Sequence, residues 1–456
     1  MDLAVRSSRV VLPEGVRPAA VVVSAGRIER ITSPDAAIEA RVEIDAGDSV
    51  VMAGLVDTHV HVNDPGRTEW EGFETAGRAA AAGGTTTIVD MPLNSSPVTT
   101  TVAALEAKVA AARGACRVDY GVWGGIVPGN LGELPALLDA GALGFKAFLV
   151  PSGIDEFPPV DDGALGAAMA VVAGRGAPVL VHAEDAAEIA RAGSGESARP
   201  ESHAAWAASR PASAEARAVA RVAALSGRSR ARAHIVHASS EEALGEIRRA
   251  KSAGIPLTAE TCPHYLCFAS EEVADGDTRF KCAPPIRDAG QREALWRGLG
   301  DGTLDLVASD HSPCPPALKP PGDFGAAWGG IGGLELRLPA TWTEARRRGI
   351  SLVELARWLA EAPARLAGLS ARKGGISAGL DADLVVWDPD REFEVEAAAL
   401  HQRHCANPWE GRTLAGVVET TILRGRVIYE QGSFPGSAEG RWLAQGSGSA
   451  TARRAG

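Results

Sequence analysis

The sequence predicts an α/β protein: a (β/α)8 barrel of the TIM type over residues 51–372, with a small β-sandwich built from both chain ends, 1–50 and 373–435. Three observations point there. From about 50 to 312, short apolar runs alternate with stretches of helical period. Such alternation places a parallel sheet inside and helices outside, and eight strand–helix units in about 260 residues fit a closed barrel better than an open sheet. Finally, each chain end carries short strands too few to bury their own faces, so the two sets need each other.

The elements follow in order. Strands at 3–5, 9–11, 20–23, 28–31 and 42–44 are joined by turns, the clearest at 24–27. The run 50–61 reads as one buried strand ending in His59 and His61. Alternation along a strand puts both imidazoles on one face, about 7 Å apart. Helices are expected at 70–82, 102–113, 134–140, 164–174, 212–225 and 241–253, and strands at 86–91, 118–123, 143–149, 178–182, 233–237, 256–261 and 304–309. Helices at 334–348 and 352–360 finish the barrel segment, and strands at 384–387, 417–423 and 426–429 supply the second half of the sandwich. The stretch 436–456 is Gly, Ser, Ala and Arg with one apolar pair, Trp442-Leu443, and reads as a disordered tail.

The chain has 456 residues, 45% hydrophobic, with a net charge of −11, enough to bury a large core. No stretch gathers Lys and Arg into a stripe, which argues against a nucleic-acid partner. No run of 18 apolar residues and no signal-like start exist, so neither a membrane partner nor export is expected. Six cysteines without a Cys-X-X-Cys pair suit a reducing cytoplasm. Lysine occurs only at 108, 146, 251, 281, 319 and 373; arginine supplies nearly every other cation.

Reactive groups of such a barrel collect where its strands end. Those ends carry His59 and His61 (strand 1), Lys146 (strand 4), His182 (strand 5), His237 (strand 6) and Asp310 (strand 8). A single histidine ending an apolar strand is usually a hydrogen-bonded edge residue; six such residues at one mouth fit a divalent-metal site better. Lys146 sits mid-strand between Phe145 and Ala147. Burying an unpaired ammonium costs several kcal/mol, and a desolvated lysine loses its proton readily. A neutral amine can add CO2, and the resulting carbamate has two oxygens that could bridge two cations. A lysine reaching the rim, or pairing with Asp310, is the alternative. His234 is expected on the strand face opposite His237 and outside the mouth. His264 could lie beside the ligands, and His311 points away. None of these, nor His203, His401 or His404, is assigned as a ligand.

Several motifs carry a resemblance: Asp57-Thr58-His59-Val60-His61, the segment 64–73 (Asp-Pro-Gly-Arg-Thr-Glu-Trp-Glu-Gly-Phe), Asp90-Met91-Pro92-Leu93-Asn94, Gly144-Phe145-Lys146, Val181-His182-Ala183-Glu184, Glu260-Thr261-Cys262-Pro263-His264-Tyr265, 281–287 (Lys-Cys-Ala-Pro-Pro-Ile-Arg) and Ser309-Asp310-His311-Ser312. Over about 1–435 the chain resembles the cyclic-amidohydrolase branch of the amidohydrolase superfamily, and within it the allantoinases. The resemblance implies two divalent metal ions, commonly zinc, bridged by hydroxide and by Lys146 carboxylated with CO2. His59, His61 and Asp310 would hold one ion, His182 and His237 the other. Asp310 would take the attacking water's proton and deliver it to the leaving nitrogen. The implied reaction is hydrolysis of (S)-allantoin, a small-molecule substrate, to allantoate in purine breakdown, by a homotetramer. Dihydroorotases carry an arginine where this chain has Asn63, and dihydropyrimidinases and hydantoinases a tyrosine where it has Pro151; both absences favour allantoin. Backbone groups of Ala283, Gly329 and Gly330, with Asn63, are the expected substrate contacts. The alternatives are a hydantoinase or dihydropyrimidinase acting on other cyclic ureides, and a non-catalytic scaffold relative, which is disfavoured because every ligand position is filled.

Overall fold

The computed structural model describes residues 1–193 and 199–445. The two chain ends meet in one hydrogen-bonded sheet. Its order is Arg426–Glu430, Thr413–Leu423, Leu384–Glu394, Val50–Ala53, Leu3–Leu12, Gly15–Ser24, Arg27–Thr32, with Val42–Asp45 also paired to Leu3–Leu12. The join between the ends is antiparallel, Val385 opposite Met52 and Val386 opposite Val51. The pleat then divides the labour. Val51, Ala53, Leu384 and Val386 face a core shared with Val10, Val21 and Val23, while Val50, Met52, Val385 and Trp387 face the barrel's helices. The expected strands 3–5 and 9–11 are one strand with a bulge between Ser7 and Val10. The bulge lets it pair first with Val42–Asp45 and then with Val50–Ala53.

The run 50–61 is not a single strand. It divides at Gly54 into Val50–Ala53, in the end sheet, and Leu55–Val60, the first barrel strand. A Cβ at Gly54 would lie 2.4 Å from the Thr86 side chain, so only glycine permits this close crossing.

Seven further parallel strands follow: Thr85–Asp90, Asp119–Val122 continued by Gly124–Gly125, Phe145–Phe148, Val179–His182, Ala233–Ile235, Leu257–Thr261 and Leu306–Val307. Among the described residues the eighth pairs with the first only at the mouth, where Val60 bridges His311 and the His61 N–H donates to the His311 carbonyl at 2.8 Å. The expected helix 352–360 gives way at Arg357–Glu361 to a wider turn and then Ala362–Leu366, because Pro363 has no N–H for the helical ladder.

The stretch expected to be a disordered tail is ordered as far as residue 445. The Tyr120 N–H donates to the Arg441 carbonyl at 3.0 Å, and the Leu443 N–H to the Tyr120 carbonyl at 2.8 Å. Leu443 is fully buried with Leu143, Leu180 and Val236. Composition misled here because a single apolar pair suffices when the barrel offers a socket for it. Residues 446–456 lie outside the described residues. Among the described residues no helix is long and apolar enough to cross a membrane.

Candidate metal centre

The strand ends bring His59, His61, Lys146, His182, His237 and Asp310 to one cavity. His59 Nε2 lies 3.1 Å and His61 Nε2 3.7 Å from Asp310 Oδ1. His182 Nδ1 faces His237 Nε2 across 3.1 Å. Donor atoms of His59, His237 and Asp310 lie within 4.8 Å of one another, so the two expected halves form one cluster.

Two of the six reach the mouth by leaving strand geometry. The sixth strand stops at Ile235, and His237 takes φ 41°, a left-handed conformation that returns its ring to the mouth. Asp310 does the same after the eighth strand, with φ 47°. His234, expected outside the mouth, does not line the cavity: it is buried behind it, Nε2 2.9 Å from Glu260 Oε2 and Nδ1 2.8 Å from Thr258 Oγ1.

The outer nitrogens of the rings set which nitrogen is free. His59 Nδ1–H donates to Glu260, His61 Nδ1–H to the Leu93 carbonyl at 3.2 Å, and His182 Nε2–H to Glu184 at 2.6 Å. Each pairing leaves the lone pair of the other nitrogen aimed at the cluster, the arrangement a metal-binding histidine needs. Glu184 is held in turn by Arg210. Burial raises the pKa of both glutamates, but Arg210 and His182 around Glu184, and His59 and His234 around Glu260, hold each at about 2. Burial pushes His61 down to about 3, with the charge of His59 adding to it. Burial thus favours the neutral form at His61, His182 and His237, whereas at His59 the Asp310 and Glu260 carboxylates outweigh burial and hold the ring above its ordinary value.

Lys146 stands among them fully buried, and among the described residues its Nζ has no hydrogen-bond partner. Burial pushes its ammonium down to about 8. It neither reaches the rim nor forms an ion pair with Asp310. A buried, unpaired amine at the centre of four imidazoles and a carboxylate fits a site completed by cations.

Beneath the cluster, where strands 1 and 8 have almost no ladder, a buried charge pair closes the seam. Asp57 accepts from the His59 N–H at 3.1 Å and the Ser309 N–H at 3.2 Å. The Arg337 guanidinium stands 3.4 Å from Asp57 and donates to the Val56 carbonyl at 2.9 Å and the Val307 carbonyl at 3.2 Å. The backbone carrying His59 and the residue preceding Asp310 are therefore tied to one carboxylate.

The family model described as the amidohydrolase family matches residues 50–428. The chain belongs to the amidohydrolase family. Among its amidohydrolase relatives, an allantoinase of Streptomyces avermitilis is 52% identical, over 98% of this chain and 99% of the relative. Allantoinases of Arabidopsis thaliana and Saccharomyces cerevisiae are 42% and 40% identical over 96% and 93% of this chain, covering 90% and 95% of theirs. The L-hydantoinase (dihydropyrimidinase) of Arthrobacter aurescens superposes with a TM-score of 0.91 at 33% identity, over 97% of this chain and 100% of that one. A D-hydantoinase gives 0.87 at 32%, over 97% and 98%. This amidohydrolase is an enzyme acting on a small molecule, and its family implies a divalent metal centre. The residues fit that centre: four lone pairs, one carboxylate and one unpartnered amine.

The cavity holds about 290 Å³, room for one small heterocycle. Ala283, Gly329, Gly330 and Pro151 line it. Asn63, an expected substrate contact, does not. It is buried behind Asn94, whose Nδ2 donates to Asn63 Oδ1 at 3.0 Å, and Asn94 takes its place on the wall.

The sequence reading missed Glu184, Glu260, Asp57, Arg210 and Arg337. Glu260 carried a readable signal, a carboxylate inside an apolar strand, which is the reasoning applied to Lys146. Arg210 and Arg337 sit in helical regions far along the chain, and only the fold shows what they touch. Glu260 accepts from two ring N–H groups, and a glutamine can accept from only one. Glu260→Gln is expected to weaken metal retention by about 10- to 100-fold, read as metal content after dialysis against graded chelator. Wild-type retention would show that His59 is oriented by its backbone alone.

Proposed function

We propose that this chain hydrolyses the cyclic amide of (S)-allantoin to allantoate, in purine (ureide) breakdown. The observation that carries the reading is Lys146, buried and unpartnered among His59, His61, His182, His237 and Asp310. Full-length similarity to proteins named allantoinase supports the substrate.

His59, His61 and Asp310 would hold one divalent cation and His182 with His237 the other, with Lys146 as its carbamate between them. Forming that carbamate joins the lysine nitrogen to the carbon of CO2 and releases one N–H proton to solvent. Bound there, the cations would activate a water near neutral pH and polarise the scissile carbonyl. Asp310 accepts the proton of the attacking water and passes it to the ring nitrogen as the C–N bond breaks. Backbone groups of Ala283, Gly329 and Gly330, which line the cavity, meet the ureide's edges.

Zinc as the metal and a homotetramer as the assembly rest on the family resemblance. Six free cysteines support a reducing compartment such as the cytoplasm. Hydantoinase or dihydropyrimidinase activity is the second reading, favoured by the solved structures that this chain resembles. Pro151 argues against it, since it stands where those enzymes carry a tyrosine.

The test is hydrolysis of racemic allantoin beside hydantoin, dihydrouracil and dihydroorotate, with protein reconstituted in divalent metal and bicarbonate. Allantoin is expected to react far faster than the rest. Preference for hydantoin or dihydrouracil would replace the substrate assignment and leave the metal-centre argument standing.

A further inference from the structure

Five of the chain's six lysines are buried. Lys108 faces Asp90, Lys373 faces Asp119, Asp381 and Asp383, and Lys146 stands at the metal centre. Lys281 and Lys319 are left without a role. They are 5% and 9% exposed, and no ion pair forms at either ammonium among the described residues. Both give their protons to backbone carbonyls instead. Lys281 Nζ donates to the Gly325 carbonyl at 3.1 Å and to that of Ala327, beneath the face of Trp206 at 4.4 Å. Lys319 Nζ donates to the Lys281 carbonyl at 3.2 Å and to that of Gly330. The Gly330 N–H returns to the Lys281 carbonyl at 2.9 Å. Each lysine thus fastens the other's segment.

What they fasten is the substrate wall. Cys282, Ala283, Ala326, Ala327, Gly329 and Gly330 line the cavity and offer only small side chains. A polar ligand meets backbone N–H and C=O groups there, so its recognition depends on where the backbone is held. Between Asp310 and the helix Arg337–Arg347 the described chain has little regular structure: the short turn Pro316–Leu318, the bridges of His311 to Val60 and Ile331, and isolated backbone bonds such as the Trp328 N–H to the Leu318 carbonyl at 2.6 Å. Two buried ammoniums without carboxylates are costly. Burial pushes both down to about 8, with the charges of Lys319 and Arg210 adding to it at Lys281. A charge-assisted N–H to a carbonyl is stronger than a neutral one, which offsets part of that cost.

We propose that Lys281 and Lys319 form a clasp that positions the backbone of 325–330 against 281–283 as the recognition wall for the substrate's polar edges. They are positioning residues that set affinity and leave the chemistry at the metal centre untouched. The inference rests on the ureide-hydrolase reading of the same cavity.

The test uses the full metal-loaded protein carrying Lys319→Met, which replaces the unbranched stem with one a single atom shorter and removes every donor. KM for allantoin is expected to rise at least about tenfold, since a small misplacement of a recognition group has effects of that order or larger. The value of kcat should stay within about threefold, with two metals retained per chain. Amide hydrogen exchange should lose protection at 325–330 and keep it in the barrel strands. Lys319→Gln, which restores one donor, should recover part of the KM. A merely structural lysine would lower Tm and the active fraction and leave KM at the wild-type value; that result overturns the clasp, as does unchanged protection at 325–330. The exchange measurement needs no substrate. If the wild type opens no cyclic ureide, the functional reading fails, and the clasp is still judged by exchange.

Discussion

Lys146→Ala should lose most of its bound divalent metal and lower kcat on the order of 10³-fold or more, the scale on which a catalytic unit fails when one member is removed. The reasoning starts from cost. Lys146 is fully buried with no hydrogen-bond partner, and an ammonium left so is worth several kcal/mol against the fold. The face of Phe148 at 5.0 Å and the charges of Asp310 and Glu260 favour the ammonium, but burial outweighs them. Burial brings its pKa to about 8, which raises the neutral fraction at pH 7 from roughly one in three thousand to roughly one in ten. The neutral amine is the form that takes up CO2. Metal-free protein should therefore reconstitute faster as pH rises from 6 towards 8, with the gain levelling off above about 8, where the amine is already neutral. Reconstitution followed by metal content at fixed dissolved CO2 checks this. A short carboxylic acid should partly restore metal to Lys146→Ala, because the space left by truncation accepts a group with two oxygens. A variant that binds two metals and turns over at the wild-type rate would end the carbamate role.

The residues that sequence made legible share one property: each violates its surroundings. Lys146, His59 and His182 are polar groups in apolar strands, His61 directly follows one, and all four lie at the centre. The barrel was legible for the complementary reason, since eight apolar runs at helix-separated spacing leave few other architectures. What the sequence concealed depends on backbone turns and distant partners. Alternation keeps His234 out of the mouth, as observed, but places His237 there by assuming that the strand runs through both. The strand ends at Ile235, and His237 reaches the mouth through a left-handed conformation instead. Gly54 likewise divides what periodicity reads as one strand, because the reason for the break is Thr86, 32 positions along the sequence. Trp442-Leu443 reads as one apolar pair in a polar tail because the socket that buries Leu443 is made by the distant Leu143, Leu180 and Val236. Asn63 stands next to the ligands in sequence, yet Asn94 comes between it and the cavity.

Asp310→Asn should keep the fold, lower kcat by about 10²- to 10⁴-fold, the usual worth of a positioned proton carrier, and leave KM within a few-fold. Asparagine is the right probe for a backbone reason. Asp310 sits at φ 47°, and asparagine tolerates that conformation about as well as aspartate, where alanine would add strain. It is also nearly the same size, so the approach of 3.1 Å to His59 Nε2 is preserved. What changes is the capacity to hold a proton. Burial raises the Asp310 carboxyl pKa, but His59, through its charge and hydrogen bond, together with His237 and His61, outweighs that and holds it well below the usual carboxylate range. It is therefore an ionised acceptor at every pH where the enzyme would work, and an amide cannot take its place. Because Asp310 is also an expected metal ligand, metal content must be measured on the same sample. Slow turnover with two metals bound assigns the loss to proton transfer, and slow turnover with one metal assigns it to ligation. Wild-type kcat in Asp310→Asn would mean that the proton travels by solvent. The conformation that turns Asp310 into the mouth would then serve metal binding alone.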